Sequence, residues 1–266
     1  MLIGALLGVL IGALLGLTGA GGGILAVPAL VFGLGMAMRQ AAPVALIAVG
    51  AAAAVGALQG LRQGIVRYKA AAVLAASGVV ASPLGVRLAH QLPDTWLAAI
   101  FAAVMVIVAQ RMFYSSQGHA SEPGATAPPG KACQVSAATG RFVWTARMFL
   151  TLVAVGAVSG VSTGMLGVGG GFIIVPALTH FSELRVHSIV ATSLMVIALI
   201  SAATVSMAWA QGFTMTGGAW AFSLAAVGGM GIGRLLAPRI PARELQRGFA
   251  LTCVLVAAVM VGRNFL

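Results

Sequence analysis

The sequence predicts an all-α integral membrane protein of two homologous halves, with about 8–10 membrane segments. The first observation is composition: 60% of the 266 residues are apolar and only 7% are charged, whereas about 25% of the residues of a soluble domain are charged. The second is distribution, because long apolar segments recur along the chain and exclude a single anchor on a soluble body. We therefore expect lipid to surround most of the protein.

The length of each apolar stretch decides how it is interpreted. A full bilayer crossing takes about 20 helical residues. The stretches lie at about 1–19, 24–37, 42–61, 70–89, 95–113, 147–166, 172–181, 189–210, 217–237 and 248–265. The second and seventh are short and each follows a glycine cluster, so we expect two glycine-broken or re-entrant helices.

A polar segment separates the two halves. Residues 115–141 are rich in small, polar, proline and glycine residues, a composition typical of a flexible linker. The predicted organisation is a first membrane repeat at 1–114, a cytoplasmic linker at 115–141 and a second membrane repeat at 142–266.

The halves are related by an internal repeat. Residues 12–30 align with residues 160–178, a shift of 148, and ten of these nineteen positions are identical. The same shift places Gln63-Gly64 over Gln211-Gly212. One register that extends over such distances indicates a duplication rather than shared low complexity.

The basic residues predict how the halves face. If the second half is inverted, twelve of the fifteen Lys and Arg residues share one side, and Arg39, Arg87 and Arg263 lie opposite. If the halves were parallel instead, the basic residues would be divided more evenly between the two sides. Because cytoplasmic loops are enriched in Lys and Arg, the sequence favours inverted halves with a cytoplasmic linker and periplasmic termini.

Each half carries a glycine cluster within hydrophobic sequence, followed five residues later by a proline, Pro28 or Pro176. Irregular backbone at membrane depth is tolerated only inside protein or beside a watery cavity, and paired breaks indicate a transporter's central site. Half-helices beginning near Ile24 and Phe172 would present amides that suit an anion. The predicted substrate-binding glycines are Gly19, Gly21, Gly22, Gly23, Gly167, Gly169, Gly170 and Gly171.

Other glycines and several hydroxyl groups have simpler interpretations beside the functional one. For Gly4, Gly8, Gly12 and Gly16 we favour close helix packing. Hydroxyl groups near the clusters extend the predicted site: Thr18, Ser162, Thr163, Thr192 and Ser193. For Thr192 and Ser193, an oxyanion contact and a hydrogen bond within their own helix both remain open.

The paired G-x-G-G-G-x-x-x-x-P-x-L motifs resemble those of the TauE/SafE family of membrane transporters, which includes sulfite and sulfonate exporters. The resemblance covers nearly the whole chain outside the linker. It implies transport of sulfur-containing or other small organic anions. Family members tend to carry a Thr-Ser pair after each motif; the second half has Thr192-Ser193, whereas the first has Val44-Ala45. The resemblance thus implies that polar selectivity resides in the second half.

The leading hypothesis is a secondary transporter that moves small anions across a bacterial inner membrane by alternating access. An anion channel and a non-transporting membrane subunit are the alternatives. The sequence contains no nucleophile–base set, HExxH motif or Cys/His cluster, so we expect no enzyme, metal or cofactor. Nucleic acid is not an expected partner despite the charge of +11, because the basic residues are dispersed between apolar segments. The oligomeric state is left open.

Overall fold

The computed structural model describes residues 2–19, 21–117, 145–182, 186–210, 212–237 and 242–265. The predicted linker lies outside the described residues, except that the fifth helix extends through residues 115–117. The helices are α1 (Leu2–Thr18), α2 (Ala26–Leu34), α3 (Met38–Arg62), α4 (Tyr68–Gln91), α5 (Asp94–Gln117), α6 (Ala146–Leu166), α7 (Gly171–Phe181), α8 (Val186–Ala210), α9 (Gly217–Leu236) and α10 (Ala242–Phe265). A 3-10 turn, Gly22–Leu25, precedes α2.

The helices confirm an integral, multi-pass membrane protein. Within the described ranges, six helices are long and apolar enough to cross a membrane: α3, α4, α5, α6, α8 and α9. Leu2–Thr18, Gly22–Leu34, Gly171–Phe181 and Arg247–Met260 are shorter apolar helices. Exposed leucines and valines cover the outer surface, for example Leu2, Val80 and Leu235, as expected where lipid replaces water.

The repeat in the sequence is also a repeat of helices. Shifting the bounds of α3 by 148 residues gives the bounds of α8, since 38 becomes 186 and 62 becomes 210. The same shift converts α5 (94–117) into α10 (242–265). The duplicated sequence therefore forms the same elements in both halves.

The equivalent helices α3 and α8 cross at the centre of the molecule. A methyl group on Gly50 would lie 2.6 Å from Ser201 Cβ, and one on Gly60 would lie 2.8 Å from Ala191 Cβ. The residue numbers of the contacting positions therefore fall along α8 as they rise along α3. The two helices pack with opposite chain directions.

Glycines allow close packing between helices of different halves. Gly12 lies against Ala226, and a methyl group on Gly16 would lie 2.6 Å from the Met230 carbonyl oxygen. Helix α1 thus packs along α9 with the same chain direction, and its glycine stripe is the packing device predicted for it. Gly160 against Gly78 makes the matching contact between α6 and α4. Each half contributes one helix to each of these two pairs.

The helix ends define two faces of the molecule. Arg39 Nε lies 3.0 Å from Asp94 Oδ1, and Arg39 also donates a hydrogen bond of 2.9 Å to the Leu92 carbonyl. The start of α3, the end of α4 and the start of α5 therefore meet at one face, which we call the first face. The end of α3 and the start of α4, at Arg62 and Tyr68, lie at the opposite end, which we call the second face.

Candidate functional site

The two glycine clusters meet in the core. A methyl group on Gly23 would lie 3.0 Å from Val49 Cγ1 and 3.1 Å from the Val168 carbonyl oxygen. A methyl group on Gly169 would lie 3.4 Å from the same Val49 Cγ1. Both glycines are buried, and Val49 is in the middle of α3. The fold thus brings the two predicted segments together at mid-depth.

The two breaks differ in backbone conformation. In the first cluster only Gly19 has a positive φ, of 82°, and the chain continues as a 3-10 turn until α2 begins at Ala26. In the second cluster Gly167, Gly169 and Gly170 have φ values of 73°, 78° and 65°. The first half-helix therefore begins as a 3-10 turn at Gly22 and becomes α-helical at Ala26, which are two residues before and two residues after the predicted Ile24. The second starts at Gly171, one residue before the predicted Phe172.

Amide partners also distinguish the breaks. Thr18 Oγ1 accepts a hydrogen bond of 2.9 Å from the Gly22 amide and donates one of 2.7 Å to the Leu14 carbonyl. One amide predicted to be free for substrate is thus satisfied within the first half. No side chain caps α7, whose N-cap residue is Gly170. The start of α7 is consequently the better anion position, because an uncapped helix N-terminus carries partial positive charge.

Hydroxyl groups surround the second break. Ser159 donates a hydrogen bond of 3.2 Å to the Gly170 carbonyl, and Thr163 donates one of 2.7 Å to the Ser159 carbonyl. Both side chains are buried. Leu15 is equivalent to Thr163 in the first half. Ser162 is half-buried on the same helix.

The two prolines follow their breaks within helices. Pro28 is buried in the first turn of α2, where its missing N–H costs nothing. Pro176 lies in the interior of α7. Each proline lies five residues beyond the last glycine of its cluster, and the structural role predicted for both remains a prediction.

Thr192 and Ser193 are bonded within their own helix. Thr192 donates a hydrogen bond of 2.6 Å to the Ser188 carbonyl, and Ser193 donates one of 2.8 Å to the Val190 carbonyl. Thr192 Oγ1 also accepts a bond of 3.1 Å from the Arg67 amide. This pair lies beside the contact between α8 and the end of α3, near the second face. Of the two open interpretations, the intrahelical hydrogen bond is the one observed.

Sequence reasoning missed Ser201, the hydroxyl closest to the second break on α8. Ser201 is 1% exposed, and its Oγ has no hydrogen-bond partner among the described residues. That oxygen lies 3.6 Å from the position of a methyl group on Gly169. Ala53 is the equivalent residue of the first half. A comparison of the halves for unmatched hydroxyls could have identified it.

A cavity of about 260 Å³ opens toward the first face between the two halves. Arg39 and His90 lie among its lining residues at the helix ends, and Leu46, Gly164 and Thr204 line it further in. Its volume is below the roughly 300–1,000 Å³ of pockets for drug-sized ligands. The cavity therefore suits a small solute.

The 148-residue shift relates this cavity to a region near the second face, and there an arginine side chain fills the space. Arg234 Nη1 donates a hydrogen bond of 2.7 Å to the Gly56 carbonyl, and a methyl group on Gly56 would lie 2.9 Å from Leu194 Cδ1. The 148-residue shift relates Gly56 to Thr204 and Arg234 to Val86, and both of these line the first-face cavity. The repeat thus places equivalent helices at the two faces, but different side chains fill the space between those helices.

Comparison with known proteins agrees with the resemblance. Residues 4–260 match the family model described as "Sulfite exporter TauE/SafE". A "Probable membrane transporter protein" of Xylella fastidiosa strain 9a5c is 28% identical over 261 residues, which cover 97% of this chain and 94% of the relative. The protein of the same description from strain Temecula1 is 27% identical over 261 residues, with the same coverage of 97% and 94%. No solved structure matches the chain.

Proposed function

Because the chain belongs to the sulfite exporter TauE/SafE family of membrane transporters, we propose that it is a secondary transporter of small, sulfur-containing anions across a bacterial inner membrane. The anions are sulfite, sulfonates or organosulfur carboxylates. The observation that carries this proposal is the meeting of two buried glycine segments beside the uncapped start of α7. Backbone amides and the partial charge of a helix N-terminus attract an anion without a buried lysine.

The proposal includes an inverted arrangement of the halves. Its support is that the equivalent helices α3 and α8 pack with opposite chain directions. Basic residues near the second face outnumber those near the first within the described ranges. They include Arg62, Arg67, Lys69, Arg111, Arg147, Arg234 and Arg247, against Arg39, Arg87 and Arg263. The positive-inside rule then makes the second face cytoplasmic.

Alternating access is the mode of transport that fits the packing. The cavity opens toward the first face, the glycine segments beyond it are buried, and Arg234 bonds to Gly56 on the second-face side. In a carrier, the binding site is accessible from only one side of the membrane at a time. Rocking of the inverted halves would close the first face and open the second. These features favour a carrier over an open channel.

The test is flux into liposomes that contain the purified protein. The panel consists of sulfite, thiosulfate, methanesulfonate, a sulfur-containing carboxylate and a plain carboxylate. We expect saturable uptake and counterflow for at least one sulfur-containing anion. Flux without saturation or counterflow would favour a channel, and absence of flux and of binding for every anion would refute the proposal.

A further inference from the structure

We propose that the hydroxyl group of Ser201 hydrogen-bonds the transported anion where the anion meets the start of α7. This inference rests on the proposed function and assigns its central contact to one side chain of the second half. The anion would lie between α7 and α8, with Gly169 and Gly50 as the small residues beside it. The other half supplies no hydroxyl here, since its equivalent residue is Ala53.

The hydrogen-bonding state of Ser201 is unusual in its helix. Thr192, Ser193 and Thr204 of α8 each donate to a carbonyl one turn earlier in the chain. Ser201 is as deeply buried as these residues, yet its Oγ has no partner among the described residues. A buried hydroxyl group without a partner is costly, and such groups in native proteins call for an explanation. A bound acceptor that arrives with the substrate supplies one.

The position of the Ser201 hydroxyl points to the glycine break. Its Oγ lies 3.6 Å from the site of a methyl group on Gly169 and 3.3 Å from that on Gly50. A side chain in place of either glycine would crowd this oxygen, because a methyl group on Gly50 would lie 2.6 Å from Ser201 Cβ and one on Gly169 would lie 2.9 Å from Ile197 Cγ2. Gly169 precedes the N-cap of α7 by one residue, so the hydroxyl and the uncapped helix start face a common region. An oxyanion there would accept a hydrogen bond from the Ser201 hydroxyl and would lie in the partial positive charge at the start of α7.

The first-face cavity lies about one helical turn of α8 from this region. Thr204, which lines the cavity, is three residues from Ser201 on the same helix, so one helical turn separates the two hydroxyls. Gly164, which also lines the cavity, precedes the second break by three residues. An anion in the cavity would thus move by about one turn of α8 to reach Ser201.

The direct test is Ser201→Ala in proteoliposomes, assayed with sulfite, thiosulfate and methanesulfonate side by side. Loss of a hydrogen bond to a charged group corresponds to about a tenfold or greater weakening, so we expect KM to rise at least tenfold. The melting temperature of the substrate-free protein should be unchanged or higher, because the substitution removes an unpaired polar group. The matched control is Ser223→Ala, since Ser223 is buried and donates to the Ala219 carbonyl in α9.

A second variant tests the position of the hydroxyl independently of its chemistry. In a background that lacks Cys133 and Cys253, Ser201→Cys should react with a small, negatively charged methanethiosulfonate reagent. Methanesulfonate, or whichever panel anion the wild type carries, should slow that reaction. Unchanged KM in Ser201→Ala, or labelling that no carried anion slows, overturns the assignment of Ser201. Absence of flux and binding in the wild type instead refutes the proposed function, and the assignment with it.

Discussion

The glycines of the first break differ in how closely their neighbours approach. A methyl group on Gly22 would lie 2.6 Å from Leu15 Cα, which is backbone of the adjoining helix and cannot rotate away. A methyl group on Gly21 would lie 3.5 Å from Phe249 Cζ and 3.5 Å from Thr18 Oγ1, an ordinary contact. Two successive glycines therefore have different structural requirements.

This difference predicts opposite outcomes for two alanine substitutions. Gly22→Ala should lower the free energy of unfolding by about 1–3 kcal/mol or more, the usual cost of overpacking a core. Gly21→Ala should leave it within about 0.5 kcal/mol. Thermal melting of the purified variants in detergent measures both. Equal melting temperatures for the two variants would contradict the packing described around Gly22.

Single residues of the site were harder to predict than the segments that contain them. The glycine clusters are a repeated motif, so the sequence alone was sufficient to predict that they belong to one region. The partners of Thr192 and Ser201 depend on three-dimensional neighbours instead: Thr192 reaches the Arg67 amide, 125 residues away along the chain. Nothing in the local sequence distinguishes a bonded hydroxyl from the unpaired one of Ser201.

Among the elements, the two short half-helices have unlike beginnings. The first starts with a 3-10 turn and a hydroxyl-capped amide, whereas the second follows three left-handed glycines. The sequence predicted both short helices, because length and glycine content are local properties. It did not predict their asymmetry, since Gly21 and Gly169 are the same residue type with φ values of −72° and 78°.

Helix α9 carries Arg234 where the equivalent helix α4 carries Val86. This difference leads to a prediction about access to the protein interior from the second face. Arg234→Ala should open the second-face side, because it removes the bond to the Gly56 carbonyl and leaves space beside Leu194. In a background without native cysteines, Leu194→Cys should then react several-fold faster with a membrane-impermeant thiol reagent added at the second face.

Leu46→Cys provides the matched control for that experiment. It is the equivalent of Leu194, and it lines the cavity that opens toward the first face. Its labelling from the first face should not rise when Arg234 is replaced. A Leu194→Cys rate that Arg234→Ala leaves unchanged would show that the arginine does not close this side.

For the molecule as a whole, the ten predicted apolar stretches correspond to the ten helices that the described ranges contain. Apolar composition and repeat register were sufficient for this, because lipid requires each segment to satisfy its backbone within a helix. The pairing of α1 with α9 and of α4 with α6 was not predictable, since small residues permit close packing without specifying a partner.

The relative orientation of the halves predicts the sidedness of two loops. Gly64 and Gly212 are equivalent, both have positive φ, and no atom lies within 4 Å of a methyl group built on either. Single cysteines at these positions, in the cysteine-free background, should react with an impermeant reagent from opposite sides of the membrane. Reaction of both from the same side would rule out inverted halves.

The pairing of helices from different halves also affects how the protein is made. Helix α1 packs most extensively on α9, yet Gly217, where α9 begins, follows Leu2 by more than 200 residues. At synthesis rates of about 5–20 residues per second, α1 leaves the ribosome roughly 10–40 seconds before its main partner. Throughout that interval the insertion machinery or lipid must cover the glycine stripe of α1. The nascent first half can therefore associate with the wrong helix before α9 is made.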